Sequence, residues 1–311
     1  MNPGATGPWP TVSVVVPTRD RPELVRRAVQ AVLGQDYPGS IECIVVFDQC
    51  DPDDIAVPAE DGERRRLVPI RNARKPGLAG GRNSGILAST GDVVGFCDDD
   101  DEWLDGKLMH QMQLWEAHPA APVIATGIQI RTADGDHDRP APAVASFDDF
   151  LASRITEIHP SSLLIRRADL LGSIGLVDED IPNSFGEDYE FLLRATRQGD
   201  VRSVPEPLVR INWNRPSFFV GRWESIADAL SYLLAKVPEF DRNPQGRARI
   251  QGQIAFALAA LGRRRESHHW AWKALRHRPT EPRALASYAV ANHLVRADRL
   301  VRMVQRTGRG L

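Results

Sequence analysis

Val93-Val94-Gly95-Phe96-Cys97-Asp98-Asp99-Asp100-Asp101-Glu102-Trp103 is a five-residue run of strand character that ends in five consecutive carboxylates. A short apolar run bounded by turn-forming residues is the mark of a strand buried on both faces. Such strands belong to parallel sheets covered by helices. Open α/β sheets bind ligands at the carboxyl ends of their strands, and the aspartates fall at that end. Adjacent carboxylates repel one another unless a cation relieves them, and hard divalent cations prefer oxygen ligands. Taken alone, the acidic run fits a metal site or a solvated turn equally well.

The segments on either side decide the fold class. Upstream, Thr11 to Val16 reads as a strand ended by Pro17. Asp20 reads as an N-cap with Glu23 three residues on, a capping box, and Pro22 is tolerated in the first turn. The helix that follows runs to about Leu33 and is stopped by Gly34. Ile41 to Phe47 and a shorter run near Leu67 to Ile70 read as buried strands, and a small-residue helix starts around Gly80 and ends before Gly91. Downstream, Lys107 to Ala117 reads as a helix and Val123 to Arg131 as a strand ending in the turn Asp134-Gly135-Asp136. Ser161 to Ile165 is a short strand candidate and Asp188 to Arg197 a helix candidate. From about Ser225 the pattern is helical only: Ile250 to Leu261, Ser267 to Arg276, and Arg283 to about Val304. Strands alternating with helices predict an α/β domain with a mostly parallel central sheet and helices on both faces. The remainder predicts an all-helical C-terminal domain, without a clear internal repeat. The expected boundary lies near 220, giving 1–220 and 221–311.

The 311 residues are 42% hydrophobic and 26% charged, the composition of a globular protein with a sizeable core. No stretch approaches the ~20 apolar residues of a membrane span. The N-terminus (Met1-Asn2-Pro3-Gly4) lacks the regions of a signal peptide, so a cytoplasmic location is expected. Cys43, Cys50 and Cys97 show no metal-ligand spacing and fit reduced thiols. The net charge of −2 hides an asymmetry. Residues 1–215 carry 22 Lys and Arg against 34 Asp and Glu, and residues 216–311 carry 17 against 7. The balances of −12 and +10 predict an acidic catalytic part and a basic part that faces an anionic partner.

The loop Pro17-Thr18-Arg19-Asp20 has no G-x-G-x-x-G, and no G-x-x-x-x-G-K-[ST] occurs anywhere, which argues against dinucleotide and P-loop folds. A sugar nucleotidyltransferase would also need a glycine-rich loop with a lysine at this point. Asp48, at the end of the second strand, is either a turn former or a carboxylate that accepts a base N–H. Gly77-Leu78-Ala79-Gly80-Gly81-Arg82-Asn83 is either a flexible cap or a close backbone approach to a diphosphate, with Arg82 adding charge.

Val14-Val15-Val16-Pro17-Thr18-Arg19, Asp48, Gly81-Arg82-Asn83-Ser84-Gly85-Ile86 and Phe96 to Trp103 occur in an order and spacing that resembles the inverting family 2 glycosyltransferases of GT-A (Rossmann-like) fold, over about residues 10–215. The resemblance implies that Asp98 and Asp100 form the D-x-D pair for a Mn²⁺ or Mg²⁺ ion bridging the donor diphosphate. It implies nucleotide contacts from Pro17, Thr18, Arg19, Asp48, Arg82, Asn83 and Asp98. Asp99 would point away from the metal through strand alternation, and Asp101 and Glu102 would shape the loop or approach the sugar. The resemblance also predicts a later carboxylate pair opening a helix, and Glu187-Asp188 in Gly186-Glu187-Asp188-Tyr189-Glu190 supplies it. Inverting transfer needs one base to take the acceptor hydroxyl's proton; Asp188 is assigned that role, with Glu187 as the alternative.

One departure from the family pattern concerns a histidine that many relatives place after the last strand. The corresponding segment, Arg210-Ile211-Asn212-Trp213-Asn214-Arg215, has none. His159 is a candidate for the acceptor cleft, with a structural role as the plain alternative, and Trp103 and Trp213 are candidates for stacking on sugar faces, with core packing as theirs. The implied function is transfer of a sugar from a nucleotide-sugar, a UDP-sugar, to a hydroxyl of a glycan or lipid-linked saccharide in polysaccharide biosynthesis. The alternatives are an inactive nucleotide- or glycan-binding scaffold of the same fold and a sugar nucleotidyltransferase. The basic helices, above all residues 294–304 and the run from Arg296 to Arg309, fit peripheral contact with an anionic membrane at its inner face or solvated surface. Nothing points to nucleic acid.

Overall fold

The protein is described here from a computed structural model, which covers residues 9–52, 64–213 and 221–305. These divide into two compact units. The first is built from residues up to Phe147 with Ile155–Glu179 and Phe191–Arg215, the second from Asp148–Arg154, Asp180–Glu190 and the residues from Pro216 onward.

The first unit is a ten-stranded sheet. Its elements in chain order are β1 (Val12–Thr18), α1 (Pro22–Leu33), β2 (Ile41–Phe47), β3 (Arg65–Arg71), α2 (Leu78–Ala88), β4 (Val93–Phe96), β5 (Glu102–Trp103), α3 (Lys107–Ala117), β6 (Val123–Thr132), β7 (Gly135–Arg139) and β8 (Val144–Ala145). Later come β9 (Leu164–Arg166), α5 (Arg167–Leu171) and β10 (Val201–Asn212), while α4 (Phe147–Ala152) and α6 (Glu187–Ala195) are each divided between the two units. The main path runs β3-β2-β1-β4-β9-β6-β10-β5. The long ladders are parallel: β1 with β2 and β4, β2 with β3, and β6 with β10. Antiparallel pairing occurs in the β6–β7 hairpin and in shorter ladders, such as β9 inserted between β4 and β6.

Strand alternation puts a helix on each face. Val12, Val14 and Val16 join Val25, Val29 and Val32 of α1 and Leu108 and Met112 of α3 in one core. Val15 points to the other face, against α2, where a Cβ on Gly85 would come within 2.2 Å of its side chain. Glycine is required there so that the helix can approach the strand.

Several local expectations are corrected. Asp20 does not cap α1: it sits at φ 53°, Arg21 occupies the cap position, and no side chain bonds to the cap. Pro17 lies inside β1, paired with Val46, because a parallel ladder leaves alternate N–H groups unused. Residues 160–162 form a 3₁₀ turn, and the strand begins only at Leu164. The strand Val201–Asn212 contains Pro205 and Pro207, which masked it; its register on β6 shifts on both sides of Pro207.

The second unit is helical: α7 (Trp223–Lys236), α8 (Pro244–Ala260), α9 (Arg264–His277), α10 (Pro282–Ala291) and α11 (Ala297–Gln305). The single helix expected from Arg283 to Val304 is interrupted, because His293 adopts φ 59°. Asn243 caps α8 by accepting from the Gly246 N–H at 2.9 Å. Small residues let α8, α9 and α10 pack closely, with Ala255, Ala271, Ala274 and Ala284 buried together. A second cluster gathers Phe256, Ala259, Val290 and Ala291, with Trp223 edge-on to Phe256 at 5.8 Å.

Candidate active site

The four aspartates follow β4, and their carboxylates meet different sets of partners. Asp98 accepts from Arg82 Nη2 at 2.7 Å; the arginine side chain itself is only 3% exposed. Asp99 accepts from Thr18 Oγ1 at 2.7 Å and from Arg21 Nη1 at 3.0 Å. Asp100 accepts from the same Arg21 nitrogen at 3.2 Å, and its backbone carbonyl accepts from Asn212 Nδ2 at 2.6 Å. Asp101 is buried; it accepts from Ser161 Oγ at 2.5 Å and lies 3.5 Å from His159 Nδ1. Glu102 pairs with Arg210 at 3.0 Å.

The electrostatics follow from burial and like charge. Burial pushes the Asp100 carboxyl up to about 6, with Asp98 and Asp99 adding to the effect. Burial likewise pushes Asp101 well above the ordinary carboxylate range, again reinforced by Asp98 and Asp100. Asp99 is raised by burial although Thr18 and Arg21 oppose the shift. Among the described residues the salt bridges to the run come from Arg21 and Arg82, with His159 beside Asp101. Two arginines therefore face three of the four carboxylates, and none faces Asp101.

One ligand atom each from Asp98, Asp101 and His159 lies within 4.8 Å of the others. Two carboxylates and an imidazole suit a divalent ion such as Mn²⁺. The donor set thus fits a cation, although Asp100, the expected second member of the pair, is turned to Arg21 here. His159 reaches the run because the 3₁₀ turn after it is pinned from both sides. Ser161 Oγ accepts from the Asp98 N–H at 3.0 Å, and the Ser161 carbonyl accepts from Trp103 Nε1 at 2.8 Å.

The remaining expected nucleotide residues lie at the carboxyl ends of β1 and β2 or on α2. A cavity of about 320 Å³ there is lined by Thr18, Arg21, Val25, Phe47, Cys50 and Asp51, among others. Pro17 meets α2, where a Cβ on Gly81 would sit 3.3 Å away. Asp48 is buried and accepts from Asn72 Nδ2 at 2.7 Å and from the Gly77 N–H at 2.9 Å, so it ties β2 to the entry of α2. Arg19 is 54% exposed and near Asp20 at 3.8 Å. Asn83 is buried and bonded at both ends of its amide: it accepts from the Val177 N–H and donates to the Val177 carbonyl and to Glu179. Trp103 belongs to the core, with the buried Lys107 ammonium nitrogen 3.7 Å from its ring centre. Burial holds that lysine well below its ordinary value. Trp213 is exposed, with Arg139 over its ring at 5.4 Å; Asn214 and Arg215 lie outside the described residues.

In the second unit, Asp188 sits in the first turn of α6 and accepts from Arg154 Nη2 at 2.6 Å. Burial alone would lower Arg154, but the charges of Asp188 and Glu187 lift it above its ordinary value. Tyr189 donates to the Phe150 carbonyl at 2.5 Å and accepts from Arg249 Nη2 at 2.8 Å. Glu190 pairs with Lys236 at 3.0 Å. Arg21, Ser161 and Arg154 are thus functional candidates that sequence reasoning missed. The signal for Arg21 was its position in the loop after β1; Ser161 and Arg154 carried none.

Residues 13–170, half of the chain, match the model of Glycosyl transferase family 2. A Campylobacter jejuni GalNAc(5)-diNAcBac-PP-undecaprenol β-1,3-glucosyltransferase is 36% identical over 107 residues, 33% of this chain and 34% of that protein. An Escherichia coli UDP-Glc:α-D-GlcNAc-diphosphoundecaprenol β-1,3-glucosyltransferase is 29% identical over 107 residues, 34% of this chain and 41% of that protein. The chain therefore spans about a third of the length of such curated relatives. Staphylococcus aureus TarS 1–349, solved in complex with UDP-GlcNAc, superposes with a TM-score of 0.62 at 15% identity, over 96% of this chain and 92% of that one. The Pyrobaculum calidifontis mannosyltransferase solved with GDP-Man and Mn²⁺ gives 0.57 at 19% identity, over 97% and 85%. At such identities the two solved structures share the GT-A fold with this chain and carry no more. The family match covers β1 through α5, including the strand-end aspartates, and the chain belongs to glycosyl transferase family 2.

Proposed function

We propose that residues 1–220 catalyse inverting transfer of a sugar from a nucleotide-sugar, a UDP-sugar, to a hydroxyl of a lipid-linked saccharide, with residues 221–311 as an accessory domain. The observation that carries the proposal is a run of four carboxylates at the carboxyl end of β4, three of them paired to only two arginines, beside a cavity at the ends of β1 and β2. The names of the Campylobacter and Escherichia relatives support the lipid-linked acceptor.

Thr18 and Asp48 bound the nucleoside end, Asp48 with acceptor capacity left for a base N–H. Arg82 and Arg21 bring charge to the diphosphate. Asp98 and Asp100 would hold a Mn²⁺ or Mg²⁺ ion, with His159, grouped with Asp98 and Asp101, as a further candidate ligand in place of the missing histidine after β10. When bound, that ion supplies charge relief to the leaving diphosphate. Asp188 takes the proton of the acceptor hydroxyl while Arg154 fixes the orientation of its carboxylate; Glu187 is the competing base. Peripheral membrane contact through the basic helices brings the enzyme to its lipid-linked acceptor.

The test is nucleotide release from a panel of UDP- and GDP-sugars with Mn²⁺ and a polyprenyl-diphosphate saccharide. Release with at least one donor is expected. If a donor binds with Mn²⁺ but is never turned over, the chain is a binding scaffold. If no donor binds at all, the site reading is wrong.

A further inference from the structure

The outward face of α9 is a continuous basic-aromatic stripe. Ser267, Ala271 and Ala274 are buried on one side of this helix. Arg265, His269, Trp272 and Arg276 are all exposed, and at 100° per residue they centre about 160° from the buried face. Trp272 is 52% exposed, with the Arg276 guanidinium 4.7 Å from its ring centre. One turn earlier, Lys273 lies 4.7 Å from the ring centre of Trp270. Residues 263–278 hold six Lys and Arg against the single acid Glu266, which pairs with Arg263. Among the described residues no carboxylate lies against Arg265 or Arg276.

We propose that this face of α9 docks the protein on an anionic lipid surface. Basic side chains near a negatively charged leaflet and an indole at the headgroup level form the chemistry of peripheral binding. A purely polyanionic partner would need the arginines but leave the indole without a role, since indoles partition to the membrane interface. The guanidinium stacked on Trp272 keeps the ring exposed until lipid covers its other face. The proposal rests on the lipid-linked acceptor reading and gives membrane contact a location, in α9 and not in the C-terminal run. Residues 306–311 of that run lie outside the described residues.

The experiment is co-sedimentation of the full chain with vesicles of phosphatidylcholine alone or with 30% phosphatidylglycerol. No sugar substrate is present, so the result is independent of whether the transferase reading holds. Binding is expected to the anionic vesicles only and to weaken with salt. Arg265→Gln with Arg276→Gln should weaken it about thirtyfold, at about fivefold per basic residue near the surface. Trp272→Ala should weaken it severalfold while leaving nucleotide release on a short water-soluble acceptor unchanged. If Trp272→Ala has no effect while the arginine pair abolishes binding, the face is a general polyanion site and the proposal fails. It also fails if truncation before Arg306 removes binding while the α9 substitutions leave it intact.

Discussion

The carboxylates after β4 and those opening α6 are built on different electrostatic plans. In the first group, Arg21 and Arg82 pair with three of four adjacent aspartates, and burial with mutual repulsion makes ionisation costly at Asp100 and Asp101. In the second group, Asp188 has Arg154 at 2.6 Å and Glu190 has Lys236 at 3.0 Å. A cluster with excess negative charge is balanced by an added cation. A carboxylate hydrogen-bonded to an arginine is fixed in orientation, as Asp188 is by Arg154. On the proposed roles, the difference separates ion binding from proton transfer, and each half of it can be broken by substitution.

The largest effect is expected at Asp188. Asp188→Asn should lower kcat by about 10²–10⁴-fold, read as nucleotide release under saturating donor. If Glu187→Gln gives that loss and Asp188→Asn does not, the base belongs to Glu187. Next, Asp100→Asn should weaken Mn²⁺ affinity by at least the ~10–100-fold that loss of a supporting partner costs. His159→Ala, measured alongside, tells whether the imidazole of the compact trio shares the ion. A smaller effect is expected from Arg154→Gln, roughly tenfold in kcat because the base is kept but loses its fixed orientation. Donor KM should be unchanged, and Arg154→Lys should recover part of the rate; loss of donor binding instead would make Arg154 structural.

Glu42 sharpens the comparison as a carboxylate with matched partners and no role in transfer. It accepts from Ser13 Oγ at 2.5 Å and the Thr90 N–H at 2.6 Å, and it pairs with Arg66. Burial pushes its carboxyl up, but these donors more than offset that and hold it below the ordinary glutamate value. A depressed folded value means the stabilisation is present above the unfolded value and is lost as pH falls through the folded one. Glu42→Gln should therefore cost about 1 kcal/mol at neutral pH and flatten the acid limb of the stability curve, measured by urea unfolding at several pH values. An unchanged acid limb would assign the offset elsewhere.

The parts of this molecule legible in the sequence are those fixed by local pattern. Ile41 to Phe47 and Lys107 to Ala117 are bounded to the residue, because an apolar run broken only by Glu42 and a helical stripe each specify their own element. The strand Val201–Asn212 was hidden by Pro205 and Pro207, which the fold accommodates by shifting register. The break at His293 depends on a left-handed residue that no glycine announces. The aspartate run was legible as a ligand site for the same local reason. Its partners were not: Ser161 meets Asp101 across 60 positions, Arg21 meets Asp99 across 78, and Arg154 meets Asp188 across 34. Tertiary contacts of that span leave no periodicity to read.

The division between ion binding and proton transfer is tested most directly by calorimetric titration of a UDP-sugar into Asp188→Asn and Asp100→Asn, each with and without Mn²⁺. Asp188→Asn should bind the donor as the unaltered chain does, with the same Mn²⁺ requirement and no turnover, while Asp100→Asn should lose the Mn²⁺-dependent part of binding. Loss of donor binding in Asp188→Asn, or unchanged Mn²⁺-dependent binding in Asp100→Asn, would contradict it.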